Sequence, residues 1–229
     1  MSDPRPALEG LDVLPWAALS HARGSAEQTP AQLRGLLSHD ADARAAALAT
    51  LEAMLLDDLG WGNEVSVAAL PFLFEVARWR SLPSRVEVLE LLVRVMSVEH
   101  FNVRSMGAKG EADEELLRAK HAGILIGELP TLIALLREDD PRVLRQGLRG
   151  LWALHYLEVP KAAVTEELLT VLRRLGVGHD HGTGHPDDEL RASSLIALAA
   201  FGGDAVAEEL VAALARETSS SLRFAVAAG

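Results

Sequence analysis

Apolar residues return every three or four positions along this chain, block after block: Leu33/Leu36/Leu37, Leu48/Leu51/Leu55, Leu89/Leu92/Val93, Leu132/Leu135/Leu136, Leu148/Leu151/Leu154 and Leu195/Leu198. That period belongs to helices that bury one stripe and wet the other, and the strict alternation of a half-buried strand is scarce. The pattern predicts an all-α chain of about twelve helices taken in pairs.

The residues between the blocks agree with this. Thr29-Pro30-Ala31-Gln32 and Ser84-Arg85-Val86-Glu87 read as capping boxes, in which a hydroxyl and an acidic or amide side chain satisfy each other's free N–H groups. Asp40, Asp140, Asp187 and Asp204 stand where helix starts are expected, as short acceptors for first-turn N–H groups. Breaks are predicted at Gly60 to Asn63, at Leu82-Pro83, at Gly202-Gly203 and along the Gly-rich stretch from Gly176 to Pro186.

The blocks also repeat. Thr29-Pro30 through Leu37 and Leu129-Pro130 through Arg137 carry their prolines and aliphatic residues in register. The register continues into Asp40 to Arg44 with Leu48 and Leu51, and into Asp140 to Leu144 with Leu148 and Leu151; Asp187 to Arg191 with Leu195 and Leu198 is a third copy. A helix pair cannot bury its apolar stripe alone, so such copies are expected to stack on one another.

These segments resemble HEAT repeats, whose second helix opens with Asp, an aliphatic residue, Arg, and then Ala or Leu at helical spacing. Asp40/Arg44 and Asp187/Arg191 match that opening, whereas the middle copy has Leu144 in place of the Arg and carries Arg145 one step later. The run Gly60-Trp61-Gly62-Asn63 through Pro71-Phe72-Leu73 is similar to a segment of bacterial HEAT-repeat proteins without an assigned role. The resemblance implies a right-handed α-solenoid (an armadillo-like superhelix) of about six antiparallel pairs, formed as one domain over residues 1–229 and clearest over 28–216. Arg44 and Arg191 would then bond to the Asp or carbonyls of the adjacent repeat.

Composition narrows the chemistry. No cysteine is present among the 229 residues, which excludes thiol catalysis, thiolate metal sites and disulfides. The formal charge is -11, so the averaged field repels phosphate backbones and anionic lipid surfaces. Charges and glycines interrupt each apolar stretch before the roughly 18 residues of a membrane span. Met1 to Gly10 lacks the basic start and apolar run of a secretory signal, and a cytoplasmic protein is expected.

No constellation for catalysis emerges, and no cofactor is expected. His179-Asp180-His181, with His185 and Asp187, offers imidazoles and carboxylates, but its Gly-rich surroundings read as an inter-helix loop rather than a metal site. Glu111/Asp113/Glu114/Glu115 and Glu208/Glu209 read as first-turn charges stabilised by helix dipoles. Val98 to Gly110 is too irregular for a tight turn and reads as an insertion.

For a binding surface, Arg142, Arg145 and Arg149 share one side of a helix, with Trp152 and His155 continuing near it. Trp61 and Asn63, from a loop, join them as candidate anchors, and Trp79-Arg80 stands at a helix end. The resulting expectation is a non-enzymatic adaptor that grips a protein partner in its groove. Resemblance adds an immunity-type inhibitor of a protein toxin, and a nucleic-acid binder like the DNA-alkylation-repeat glycosylases, which the net charge opposes. The apolar end, residues 217–229, is expected to fray or to pair weakly with a second copy.

Overall fold

The computed structural model describes residues 5–21, 23–98, 111–156, 165–178 and 184–216. It is mostly helical. The chain divides into two compact units, Met1–Thr131 and Leu132–Gly229.

The first unit opens with a segment that the helical period does not cover. A 3-10 turn at Trp16–Ala18 leads into a hairpin of β1 (Ser20–His21) and β2 (Gly24–Ser25), antiparallel, with Ser20 opposite Ser25. Trp16 is buried; its indole N–H donates to the Leu11 carbonyl at 2.6 Å, and its ring lies 6.2 Å from that of Phe72. The segment is thereby pinned to the helices that follow: α1 (Thr29–Gly35), α2 (Ala41–Leu55), α3 (Glu64–Arg78), α4 (Arg85–Met96) and α5 (Glu111–Gly127). Helix α1 packs on α2 and α3 on α4, while α1 also meets α3 and α2 meets α4. The periodic leucines do the packing: Leu33, Leu36, Leu51, Leu55, Leu89 and Leu92 are fully buried.

A short helix, α6 (Leu129–Leu135), carries the unit boundary at Thr131/Leu132. The second unit continues with α7 (Pro141–Tyr156), α8 (Glu166–Gly176), α9 (Asp188–Gly202), a 3-10 turn at Gly203–Val206 and α10 (Ala207–Arg216). Helix α9 packs on both α7 and α8, burying Leu148, Leu151, Leu172, Leu195 and Leu198.

Three of the four predicted Asp caps are in place. Asp40 accepts from the Asp42 N–H, Asp140 from the Arg142 N–H, and Asp187 from the Glu189 and Leu190 N–H groups, all at 2.8–3.1 Å. Asp204 instead lies inside the 3-10 turn that follows Gly203, whose φ of 53° ends α9. Neither predicted capping box forms. Thr29 is already the first residue of α1 and Ser84 makes no cap hydrogen bond; both hydroxyls are buried without a partner among the described residues. Besides the three aspartates, Thr165, which accepts from the Leu168 N–H, and Asn63 act as caps.

The two repeat arginines bond close to their own helices. Arg44 donates to the Ser38 and His39 carbonyls, and Arg191 to the His185 carbonyl and the Asp188 carboxylate. Each therefore ties down the turn preceding its own helix, six residues back. A guanidinium on the first turn reaches those carbonyls sooner than it reaches the next helix, and they would otherwise lack donors. Arg145, displaced by one residue, does cross over: it bridges to Glu189 at 3.1 Å and Asp187 at 3.6 Å, at the start of α9.

Glu111, Asp113, Glu114 and Glu115 fall at the start of α5, and Glu208 and Glu209 in the first turn of α10, as the dipole argument requires. Among the described residues, no helix is long and apolar enough to cross a membrane.

Candidate functional site

The five side chains singled out on α7 divide into two groups. Arg142 folds back on its own cap, donating to both Asp140 carboxylate oxygens, and this guanidinium holds the Asp140 carboxyl below its usual range. Arg145 is half-buried and spent on the start of α9. Two thirds of the arginine stripe are thus neutralised by the unit's own acids. Arg149 is exposed and makes no ion pair with the described residues. Beyond it, the rings of Trp152 and His155 meet edge-on with centroids 5.4 Å apart, and His155 meets Phe201 of α9 at 6.0 Å. His155 is exposed and Trp152 partly so. The C-terminal half of α7 thus presents an exposed cation next to an aromatic cluster.

Trp61 and Asn63 are near in sequence and opposite in role. Trp61 is 39% exposed, its main-chain N–H held by the Asp57 carboxylate at 2.9 Å. Asn63 is buried. Its Oδ1 accepts from the Val65 and Ser66 N–H groups, and its Nδ2 donates to the Met54 and Leu55 carbonyls, so it closes the end of α2 onto the start of α3. Nothing of Asn63 is left to meet a partner, and it drops out of the candidate surface. Trp79, partly buried, is the residue at which α3 ends.

His179 and His181 lie outside the described residues, as do 99–110 and 217–229, so the metal-loop, insertion and end-pairing readings cannot be placed. His185 accepts from the Asp187 N–H through Nδ1. No group of three or more His, Asp or Glu side chains among the described residues converges in a way that could hold a metal ion.

A feature with no signal in the periodicity lies in the first unit. A cleft of about 580 Å³ opens between α3, α5 and the segment Leu14 to Leu19. Its α3 wall is Glu64, Val67, Ala68 and Pro71, spaced i, i+3, i+4, i+7, and its α5 wall is Leu117, Lys120, Gly123 and Ile124. Pro71 brings no N–H, so the Val67 carbonyl on this wall loses its i+4 donor. The volume lies within the range of ligand and anchor pockets, and the lining is apolar apart from one carboxylate and one ammonium. A second hollow, of about 520 Å³, lies between the hairpin and α2, and two of its polar side chains are engaged within the chain. Arg23 pairs there with Asp58 at 2.8 Å, and His21 accepts from the Arg23 N–H; burial lowers the His21 pKa.

No protein-family model matches the chain, and neither does any curated protein or solved structure.

Proposed function

We propose that this chain is a non-enzymatic protein-binding module, built within each unit from stacked helix pairs of the HEAT kind. The observation that carries the proposal is the state of the α7 surface. Arg149 stands exposed and without an ion-pair partner among the described residues, beside the edge-on Trp152/His155 pair. Arg and Trp are the residues that dominate affinity at protein interfaces, and here they stand together on one helix. The like use of Arg44 and Arg191, and the packing of α1 on α2 and α3, of α2 on α3 and α4, of α3 on α4 and α5 and of α9 on α7 and α8, support the repeat reading. An adaptor, or an inhibitor seated on another protein, would use the same surface. Binding of nucleic acid has less support, because Arg142 and Arg145 are already neutralised and the net charge is -11.

The test is affinity capture from the native lysate with wild-type chain, with an Arg149→Glu/Trp152→Ala double variant and with Arg142→Glu as control. The proposal expects one stoichiometric protein that the double variant loses at least ten-fold and the control retains. Equal recovery by all three chains, or recovery of nucleic acid that salt releases steeply, would contradict it.

A further inference from the structure

The cleft between α3 and α5 has three properties that together define an occupant. Its two charged side chains, Glu64 from α3 and Lys120 from α5, make no ion pair among the described residues. A partner seated there is therefore best matched by one cation and one anion, rather than by a single charge.

The α5 wall also runs on beyond the cleft. Leu116, Lys120, Gly123 and Gly127 fall at i, i+4, i+7 and i+11, on a single helix face, and Leu116 is 53% exposed. An exposed leucine in line with the cleft extends the apolar track past what a ligand of cleft size would cover.

The glycines are the third property. A glycine inside a helix costs about 0.5–1 kcal/mol relative to alanine and calls for a packing reason. Among the described residues Gly123 shows none, and neither does Gly127 at the last position of α5: a methyl group placed on either Cα would meet no described atom within 4 Å apart from the helix's own backbone. Gly35 of α1 behaves differently, since its Cβ would come within 2.8 Å of the Ala47 Cβ, so it is explained by a close helix–helix approach. Two exposed glycines one turn apart leave a bare strip of helix, against which another helix backbone can approach closely.

From the cleft, the charges and the bare strip together, we infer that α3 and α5 form a docking groove for an amphipathic helix of a protein partner. The helix lays its apolar face between Val67, Pro71, Leu117 and Ile124, with a Lys or Arg toward Glu64 and an Asp or Glu toward Lys120. This inference rests on the protein-binding reading and assigns it a second surface, independent of α7.

The experiment uses the full chain and three fluorescein-labelled helical peptides, measured by anisotropy. All carry leucines at i, i+3, i+4 and i+7; one is flanked by Lys and Glu, one by two Lys, one by two Glu. The Lys/Glu peptide is expected to bind saturably and at least ten-fold more tightly than the others. Gly123→Trp should abolish that binding, Lys120→Glu should shift preference to the two-Lys peptide, and Arg149→Glu should leave it unchanged. Absence of saturable binding, or binding that Gly123→Trp and Lys120→Glu do not alter, overturns the inference. So does a dimer in light scattering that Gly123→Trp dissolves, which would make the occupant a second copy. Displacement of the peptide by a medium-chain fatty acid, with Gly127→Trp silent, overturns it in favour of a small amphiphile. If the groove fails while capture still depends on Arg149 and Trp152, only this inference is lost; if capture fails too, the protein-binding reading falls with it.

Discussion

Asn63 and Ser66 cap the start of α3 by exchanging bonds. The Ser66 N–H donates to Asn63 Oδ1 at 3.2 Å, and the Asn63 N–H donates to Ser66 Oγ at 2.9 Å. The same two side chains reach back to the end of α2, Asn63 Nδ2 to the Met54 and Leu55 carbonyls and Ser66 Oγ to that of Leu55. One pair of residues therefore satisfies orphan groups at two helix termini, which otherwise are left to water or to caps. Asn63→Ala should lower stability by about 2–3 kcal/mol, the sum of a lost cap and of buried carbonyls left without donors. Urea unfolding would measure it, and a loss under about 0.5 kcal/mol would contradict this role.

His121 of α5 is fully buried, with Nε2 at 3.1 Å from the Val95 carbonyl, and burial pushes its pKa down to about 4. The unfolded chain takes up a proton near pH 6.5 that the folded chain refuses, so stability is complete above that value and is lost as pH falls toward 4. The loss is on the order of 3 kcal/mol across that window. His21, whose pKa burial also lowers, acts in the same direction. Urea midpoints at neutral pH and near pH 5 should differ for the wild type and differ much less for His121→Gln; equal shifts in both chains would remove His121 from the explanation.

The glycines of different helices should respond to alanine with opposite sign. Gly35→Ala forces α1 off α2 and should cost about 1–3 kcal/mol as overpacking. Gly123→Ala, inside α5, should gain about 0.5–1 kcal/mol, because no described residue occupies the space, and Gly127→Ala, at the last position of the helix, should gain less. Thermal unfolding of the three variants checks the pattern, and a destabilised Gly123→Ala would mean that the bare strip serves the fold itself.

The bridge from Arg145 to Glu189 joins α7 to α9 at the surface. Arg145 is half-buried but Glu189 is largely exposed, so the pair is screened by solvent; Arg145→Ala should change stability by less than about 1 kcal/mol, and the change should shrink in high salt. A larger loss would assign Arg145 a structural weight that its exposure does not explain.

Much of the local structure was readable from single residues, because caps and periods are local chemistry. Asp40, Asp140 and Asp187 act within two or three residues of themselves, and the leucines that recur at helical spacing are buried, apart from the half-buried Leu48. Thr29 and Ser84 misled for the same local reason: α1 begins at Thr29 itself, and Ser84 has a backbone that does not aim its hydroxyl at the helix. Asn63 was read as an exposed anchor because it follows Gly60-Trp61-Gly62 and because its reciprocal partner is Ser66 rather than a Glu or Gln. The cleft carried no sequence signal, since its walls come from residues near 14–19, 64–71 and 117–124, and no period links them. The arginine stripe was visible in the spacing, but its neutralisation was not, because Arg145 finds its acids 42 and 44 residues away, at Asp187 and Glu189.

The C-terminal half of α7 is the proposed seat of a protein partner. Amide hydrogen exchange on the purified complex of this chain with its captured partner tests it most directly. The account predicts slowed exchange over residues 149–156, weakened in the Arg149→Glu/Trp152→Ala chain. Unchanged exchange there, with protection confined to other helices, would contradict it.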